Sequence, residues 1–200
     1  MGFPSVLTLA QSWIAQRLFP GDVAIDATAG TGVDTQFLAE TVGPRGSIYA
    51  FDIQPLALER TADRLDARFA GEAGSRRPKI VLLAHSHAHM LELLPPEVQG
   101  SVSAIMFNLG YLPDPEADQR IITGSDSTIA ALTDGLELLR PGGIITAVVY
   151  PGHPGGAEEA DAVTDWAASQ SPSLCQCVQY RMPQKQGAPF LIAIEKRRQS

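Results

Sequence analysis

Residues 26–35 read Asp-Ala-Thr-Ala-Gly-Thr-Gly-Val-Asp-Thr, directly behind the apolar run Val23-Ala24-Ile25. A strand that turns straight into a helix needs backbone freedom, which Gly30 and Gly32 supply, and it leaves the main chain open to a ligand. The helix that begins near Gly32 turns its free N–H groups into the same space. Asp52 ends the next apolar run, Ile48-Tyr49-Ala50-Phe51, where an ionised carboxylate can accept both hydroxyls of a ribose. It lies 20 positions beyond Gly32, about the spacing between a nucleotide loop and its ribose acid. Gln54, two positions on, is read with Asp52 as holding the ribose side.

The loop does not complete G-x-G-x-x-G, because Thr35 occupies the third glycine position, and it carries no Walker lysine. Asp26 at its mouth would repel a pyrophosphate and welcome a cationic amino-acid tail. Asp26, Gly30, Gly32, Asp34, Thr35 and Asp52 therefore suit S-adenosylmethionine, whose methionyl ammonium and sulfonium are positive. The alternative is a glycine-rich turn that binds nothing.

Three further strand ends carry chemistry. Ser86 and His87 follow the third strand, where the adenine of a nucleoside lies in such folds. His85, His87 and His89 alternate there, but no H-E-x-x-H pattern occurs, and no metal is expected. Asn108 closes the run Ser103-Ala104-Ile105-Met106-Phe107. Its carbonyl oxygen can accept from an amine and turn the lone pair toward an incoming methyl group, and the same residue borders the cofactor. Tyr111 can wall the site and face a cation; a capping Asn before a core Tyr is the alternative. After the fifth strand, Tyr150-Pro151-Gly152-His153-Pro154-Gly155-Gly156 brings one imidazole to a turn, a candidate proton acceptor or an ordinary helix-leading loop. Thr123, Ser125, Ser127 and Thr128 suggest a phosphate at a helix start or, more simply, capping.

These strand ends need a scaffold. Periodicity predicts helices at 7–18, 35–42, 55–69, 88–94, 128–139 and 157–168, and a loop at 71–78. It predicts strands at 23–26, 47–52, 79–84, 102–108, 144–150, 174–181 and 190–195. Pro141-Gly142-Gly143 is read as the stop of the fifth helix. Alternation implies parallel crossovers, and the last two strands, joined by a short loop, must pair antiparallel. The expected fold is α/β: a seven-stranded, mostly parallel sheet with one antiparallel strand and helices on both faces. One domain over residues 1–200 is expected.

Hydrophobic residues make up 44% of the chain and charged residues 18%, an ordinary globular balance. No apolar run suits a membrane span and no signal peptide is read at the N-terminus, so a cytoplasmic protein is expected. The two cysteines, Cys175 and Cys177, are read as pointing to opposite faces of a strand, without a mutual disulfide. A net charge of −7 argues against indiscriminate nucleic-acid binding. Arg60, Arg64 and Arg68 are interleaved with acids and read as a solvated helix face. Arg76, Arg77 and Lys79, and the closing Lys196-Arg197-Arg198, remain candidate basic patches.

The chain resembles class I S-adenosylmethionine-dependent methyltransferases of Rossmann-like fold, and more narrowly the bacterial putative rRNA methylase family. The resemblance rests on Asp26-Ala27-Thr28, Gly30 to Thr35, Tyr49 to Gln54, Asn108-Leu109-Gly110-Tyr111-Leu112-Pro113, Ser127-Thr128-Ile129, His153-Pro154-Gly155-Gly156, and Pro189-Phe190 to Glu195-Lys196. The family's loop more often reads Gly-Asn-Gly-His-Asp-Thr, so Thr31 and Val33 depart from it. Members act at the tRNA wobble uridine. The resemblance implies methylation of its 5-aminomethyl group, the anticodon region of tRNA as partner, and Asn108, Tyr111 and His153 at the reacting amine. A homodimer would supply the surface a whole anticodon arm needs. An rRNA methylase, a small-molecule amine methyltransferase and a non-catalytic nucleotide-binding module are the alternatives.

Overall fold

Alternation along the strands decides the layering. Ala24, Ile48, Ala104, Met106 and Ile144 face one side; Ile25, Tyr49, Ile105, Phe107 and Ile145 face the other, as successive strand residues must. The computed structural model describes residues 2–71, 76–112, 114–185 and 187–198. Its strands are β1 (Val23–Asp26), β2 (Ser47–Phe51), β3 (Lys79–Leu83), β4 (Val102–Asn108), β5 (Leu139–Val149), β6 (Cys175–Tyr180) and β7 (Phe190–Lys196). They form one seven-stranded sheet in the order β3-β2-β1-β4-β5-β7-β6. Neighbours from β3 to β5 pair in parallel, while β7 pairs antiparallel with both β5 and β6. The single reversed strand is the one the short final connection required.

Among the described residues, six α-helices cover the two faces: α1 (Val6–Ala15), α2 (Val33–Val42), α3 (Pro55–Arg68), α4 (Met90–Leu93), α5 (Ser125–Leu138) and α6 (Gly156–Ser169). Ile14, Leu38, Val42 and Leu65 of α1 to α3 seal one core layer. Met90, Leu132, Leu136 and Val163 of α4 to α6 seal the other. Both layers bury branched and aromatic side chains almost completely, which is the main favourable contribution to folding.

Three local readings are corrected. β5 begins at Leu139, directly behind α5. Pro141-Gly142-Gly143 is the irregular start of a strand, marked by a register shift against β4, and a side chain at Gly143 would sit 3.0 Å from the Val102 carbonyl. α5 starts at Ser125, with Gly124 as its N-cap and no side-chain cap. Cys175 and Cys177 share a face, their Sγ atoms 3.9 Å apart, because side chains two positions apart on a strand point the same way; both thiols are free. The expected loop at 71–78 falls partly outside the described residues.

Candidate functional site

The carboxyl ends of β1, β2, β4 and β5 surround a cleft of about 620 Å³, a volume suited to a nucleoside-sized ligand. Such sheets bind ligands on this edge because the loops diverge there, on either side of the first strand.

The loop after β1 forms one wall. Gly30 and Gly32 both hold positive φ. Gly32 is required for a reason the sequence did not show: a Cβ there would lie 2.8 Å from Thr61 Cα of α3. Its open side is filled by a neighbouring helix, not by the cleft. Asp26, Gly32 and Thr35 all stand behind the lining, whereas Gly30, Asp34, Asp52, Gln54, Ser86, His87 and Asn108 reach it. Asp26 is 1% exposed. It accepts from Thr35 Oγ1 at 2.6 Å and from the Thr28 N–H at 3.1 Å. Burial, followed by the charge of Asp34, pushes its carboxyl up to about 7. Burial also raises Asp34, against the hydrogen bond donated by Gln11 Nε2 at 3.0 Å.

Asp52 is oriented by the main chain. Its Oδ2 accepts the Gly30 N–H at 3.0 Å and its Oδ1 the Gln54 N–H at 2.9 Å, leaving further lone pairs for a diol. His87 is buried, with Nδ1 3.0 Å from the Ala27 carbonyl. A carbonyl only accepts, so Nδ1 carries the proton and Nε2 is a bare acceptor. That Nε2 is buried without a partner, and burial lowers the imidazole's pKa. An unpartnered acceptor beside Asp52 fits the exocyclic amine of an adenosyl group. Ser86 instead caps the following turn by accepting the Ala88 N–H.

The opposite wall comes from β4, β5 and their loops. Asn108 is exposed to the cleft, and its backbone N–H donates to Thr28 Oγ1 at 2.7 Å. The Tyr111 ring stands edge-on to His153, centroids 6.2 Å apart at 90°. His153 Nδ1 lies 2.9 Å from the Pro154 carbonyl, which leaves Nε2 as the acceptor, buried and unpartnered. The last glycine of the turn, Gly156, is required there, since a side chain would sit 2.3 Å from the Tyr150 carbonyl and 3.0 Å from the imidazole.

Sequence reading missed several lining residues. Leu7 and Gln11 come from α1, where they carried only a core or surface signal, and Tyr150, directly behind β5, was read only as the start of the His153 turn. Three of the four hydroxyls read as a phosphate cradle are engaged within the protein. Thr123 and Thr128 donate to Glu159 at 2.9 and 2.7 Å, and Ser127 donates to the Gly124 carbonyl. Arg60 pairs with Asp114 and Glu116, Arg64 donates to the Thr31 carbonyl, and Arg68 pairs with Glu40, so these arginines bind their own protein. Lys79 opens β3 and Lys196 closes the reversed β7, which puts both basic clusters at the sheet edge away from the cleft. Among the described residues, no group of three His, Cys, Asp or Glu could hold a metal. No described helix is long and apolar enough to cross a membrane.

A family model described as "Putative rRNA methylase" matches residues 48–195. The chain is 39% identical over 188 residues to the chloroplastic tRNA (mnm(5)s(2)U34)-methyltransferase of Arabidopsis thaliana, covering 91% of this chain. It spans 66% of that plant protein's length. A solved putative rRNA-methylase from Clostridium thermocellum superposes with a TM-score of 0.87 at 32% identity, over 98% of this chain and 100% of that one. A putative methyltransferase from Streptococcus mutans, solved in complex with SAH, gives 0.82 at 29% identity, over 98% and 99% of the two chains.

Proposed function

The chain belongs to the putative rRNA methylase family, and from that premise we propose that it is an S-adenosylmethionine-dependent N-methyltransferase of tRNA. Its target is the 5-aminomethyl group of the wobble (2-thio)uridine, which becomes methylaminomethyl. The plant relative's name supports the substrate, and the SAH-bound neighbour supports the cofactor. The observation that carries the reading is the cleft that Asn108, Tyr111 and His153 line together with Asp34 and Asp52.

When bound, the cofactor supplies an electrophilic methyl group. Asp34 and the loop at Gly30 would hold its cationic methionyl end, with Asp26 and Thr35 bracing the loop from behind. Asp52 and Gln54 would hold the ribose, and His87 the adenine side. Asn108 Oδ1 accepts one N–H of the substrate amine, which turns the nitrogen lone pair toward the methyl group. Tyr111 walls this space. Accepting the methyl group that the cofactor would supply leaves the amine with an extra proton, for which His153 is the candidate acceptor. Positioning supplies most of the acceleration.

An acidic chain whose basic clusters lie away from the cleft favours a second reading, a small-molecule amine methyltransferase. A homodimer would reconcile charge and substrate by lending surface to the anticodon arm. The reading places the protein in the cytoplasm. The test is transfer of labelled methyl to bulk tRNA lacking the modification, followed by mass spectrometry of its nucleosides. Label in the methylaminomethyl nucleoside is expected; label in rRNA or a free amine alone rejects the reading.

A further inference from the structure

Glu159 is 1% exposed and sits in the first turn of α6, outside the cleft lining. Its Oε1 accepts from Thr128, in the first turn of α5, and its Oε2 from Thr123. Two helix N-termini thus converge on one carboxylate, which offsets part of the cost of burying it. The same Thr123 oxygen accepts the Gly110 N–H at 2.8 Å, and the Thr123 N–H donates to the Gly110 carbonyl at 2.9 Å. Tyr111 and Ile122 continue this pairing as an antiparallel bridge.

We propose that Glu159 is a positioning residue which, through Thr123, fixes the main chain at Gly110 and thereby the placing of Asn108 and Tyr111. This rests on the methyltransferase reading of those two residues. The physical reason is direction. A hydroxyl has one proton, and an acceptor-only carboxylate takes it, so Thr123 can present only lone pairs to Gly110. Gly110 holds φ at +146, a conformation that favours glycine, so its own preferences do not anchor it. A glutamine at 159 offers these two hydroxyls one acceptor and one donor, so one of the two threonines must accept from it and its proton is no longer directed.

The test compares Thr123→Val, Thr123→Ser, Glu159→Gln and the double variant Thr123→Val/Glu159→Gln. Exchange of the Gly110 amide is followed by NMR, together with kcat on unmodified tRNA and affinity for S-adenosylmethionine. Thr123→Val and Glu159→Gln are expected to speed Gly110 exchange and to lower kcat about tenfold each, with cofactor affinity within about twofold. Thr123→Ser should match the wild type, and the double variant should be no worse than Thr123→Val, because one linkage is lost once. Unchanged Gly110 exchange, or multiplicative losses in the double variant, overturns the inference. So does a kcat that falls only with the folded fraction. If wild-type protein methylates no tRNA, the functional reading fails, while the exchange measurement still decides the clamp.

Discussion

Thr28 and Asn108 lie 80 positions apart and meet in one hydrogen bond, the Asn108 N–H donating to Thr28 Oγ1 at 2.7 Å. The loop proposed to receive the cofactor and the strand end proposed to receive the amine are thereby fastened to each other. A transfer reaction needs that relation held tightly, since small displacements of the reacting atoms cost much of the rate. Thr28→Ser keeps the hydroxyl and is expected to retain most activity. Thr28→Val strands the Asn108 amide, at about 1–3 kcal/mol where it is shielded from water. Steady-state kinetics should show kcat down about tenfold with little change in cofactor affinity; a loss in Thr28→Ser with wild-type turnover in Thr28→Val would point to the methyl group instead.

Asn108→Ala tests the amine-orienting role itself. The backbone bond to Thr28 does not need the side chain, so cofactor binding by calorimetry should survive within a few-fold. Turnover should fall about 100-fold or more, the scale of losing one preorganised polar contact to the reacting group. Wild-type turnover in this variant would remove Asn108 from the mechanism. Loss of binding together with turnover would make it a cofactor ligand only.

The strands, the reversed β7 and Asp52 were legible because each is written locally, in an apolar alternation or in a spacing along the chain. The Asn108 and His153 elements were legible as polar interruptions at strand ends. The braces between elements were not. Gln11 with Asp34, Thr28 with Asn108 and Thr123 with Glu159 pair residues 23, 80 and 36 positions apart, and periodicity reports burial, not partners. Gly32 was read as a window for the ligand, although Thr61 closes it from behind. A glycine pattern reveals that something approaches, but not what.

That packing makes Gly32 a stability residue. Gly32→Ala combines a positive φ of 78° with a contact of 2.8 Å against backbone, which cannot swing aside. About 2–4 kcal/mol of destabilisation is expected in denaturant unfolding. Thr61→Ala should not rescue it, because the clash is with the Cα of residue 61. Gly30→Ala has a similar backbone penalty but a nearest neighbour at 3.6 Å, the flexible Leu112 side chain. It should cost less in stability and more in cofactor affinity.

Asp26 and His87 set opposing limits on the pH range. Asp26 is raised from 3.8 to about 7, chiefly by burial, so the folded chain holds a proton there that the unfolded chain has released. Its contribution is present in full below pH 4 and is lost as pH rises toward about 7. His87 is lowered from 6.5, chiefly by burial, so its contribution is complete above 6.5 and is lost as pH falls below that value. Thermal melts of the protein without cofactor should therefore be highest on the acid side of neutrality and fall toward pH 8. Asp26→Asn, which cannot ionise, should flatten the alkaline limb and leave the acid limb in place. S-adenosylmethionine acts the other way, because its cationic end favours the ionised carboxylate pair. Its affinity should rise as pH passes through about 7 in the wild type and depend less on pH in Asp26→Asn, where Asp34 still titrates. An affinity independent of pH in the wild type would mean that Asp26 does not sense the cofactor's charge from behind the loop.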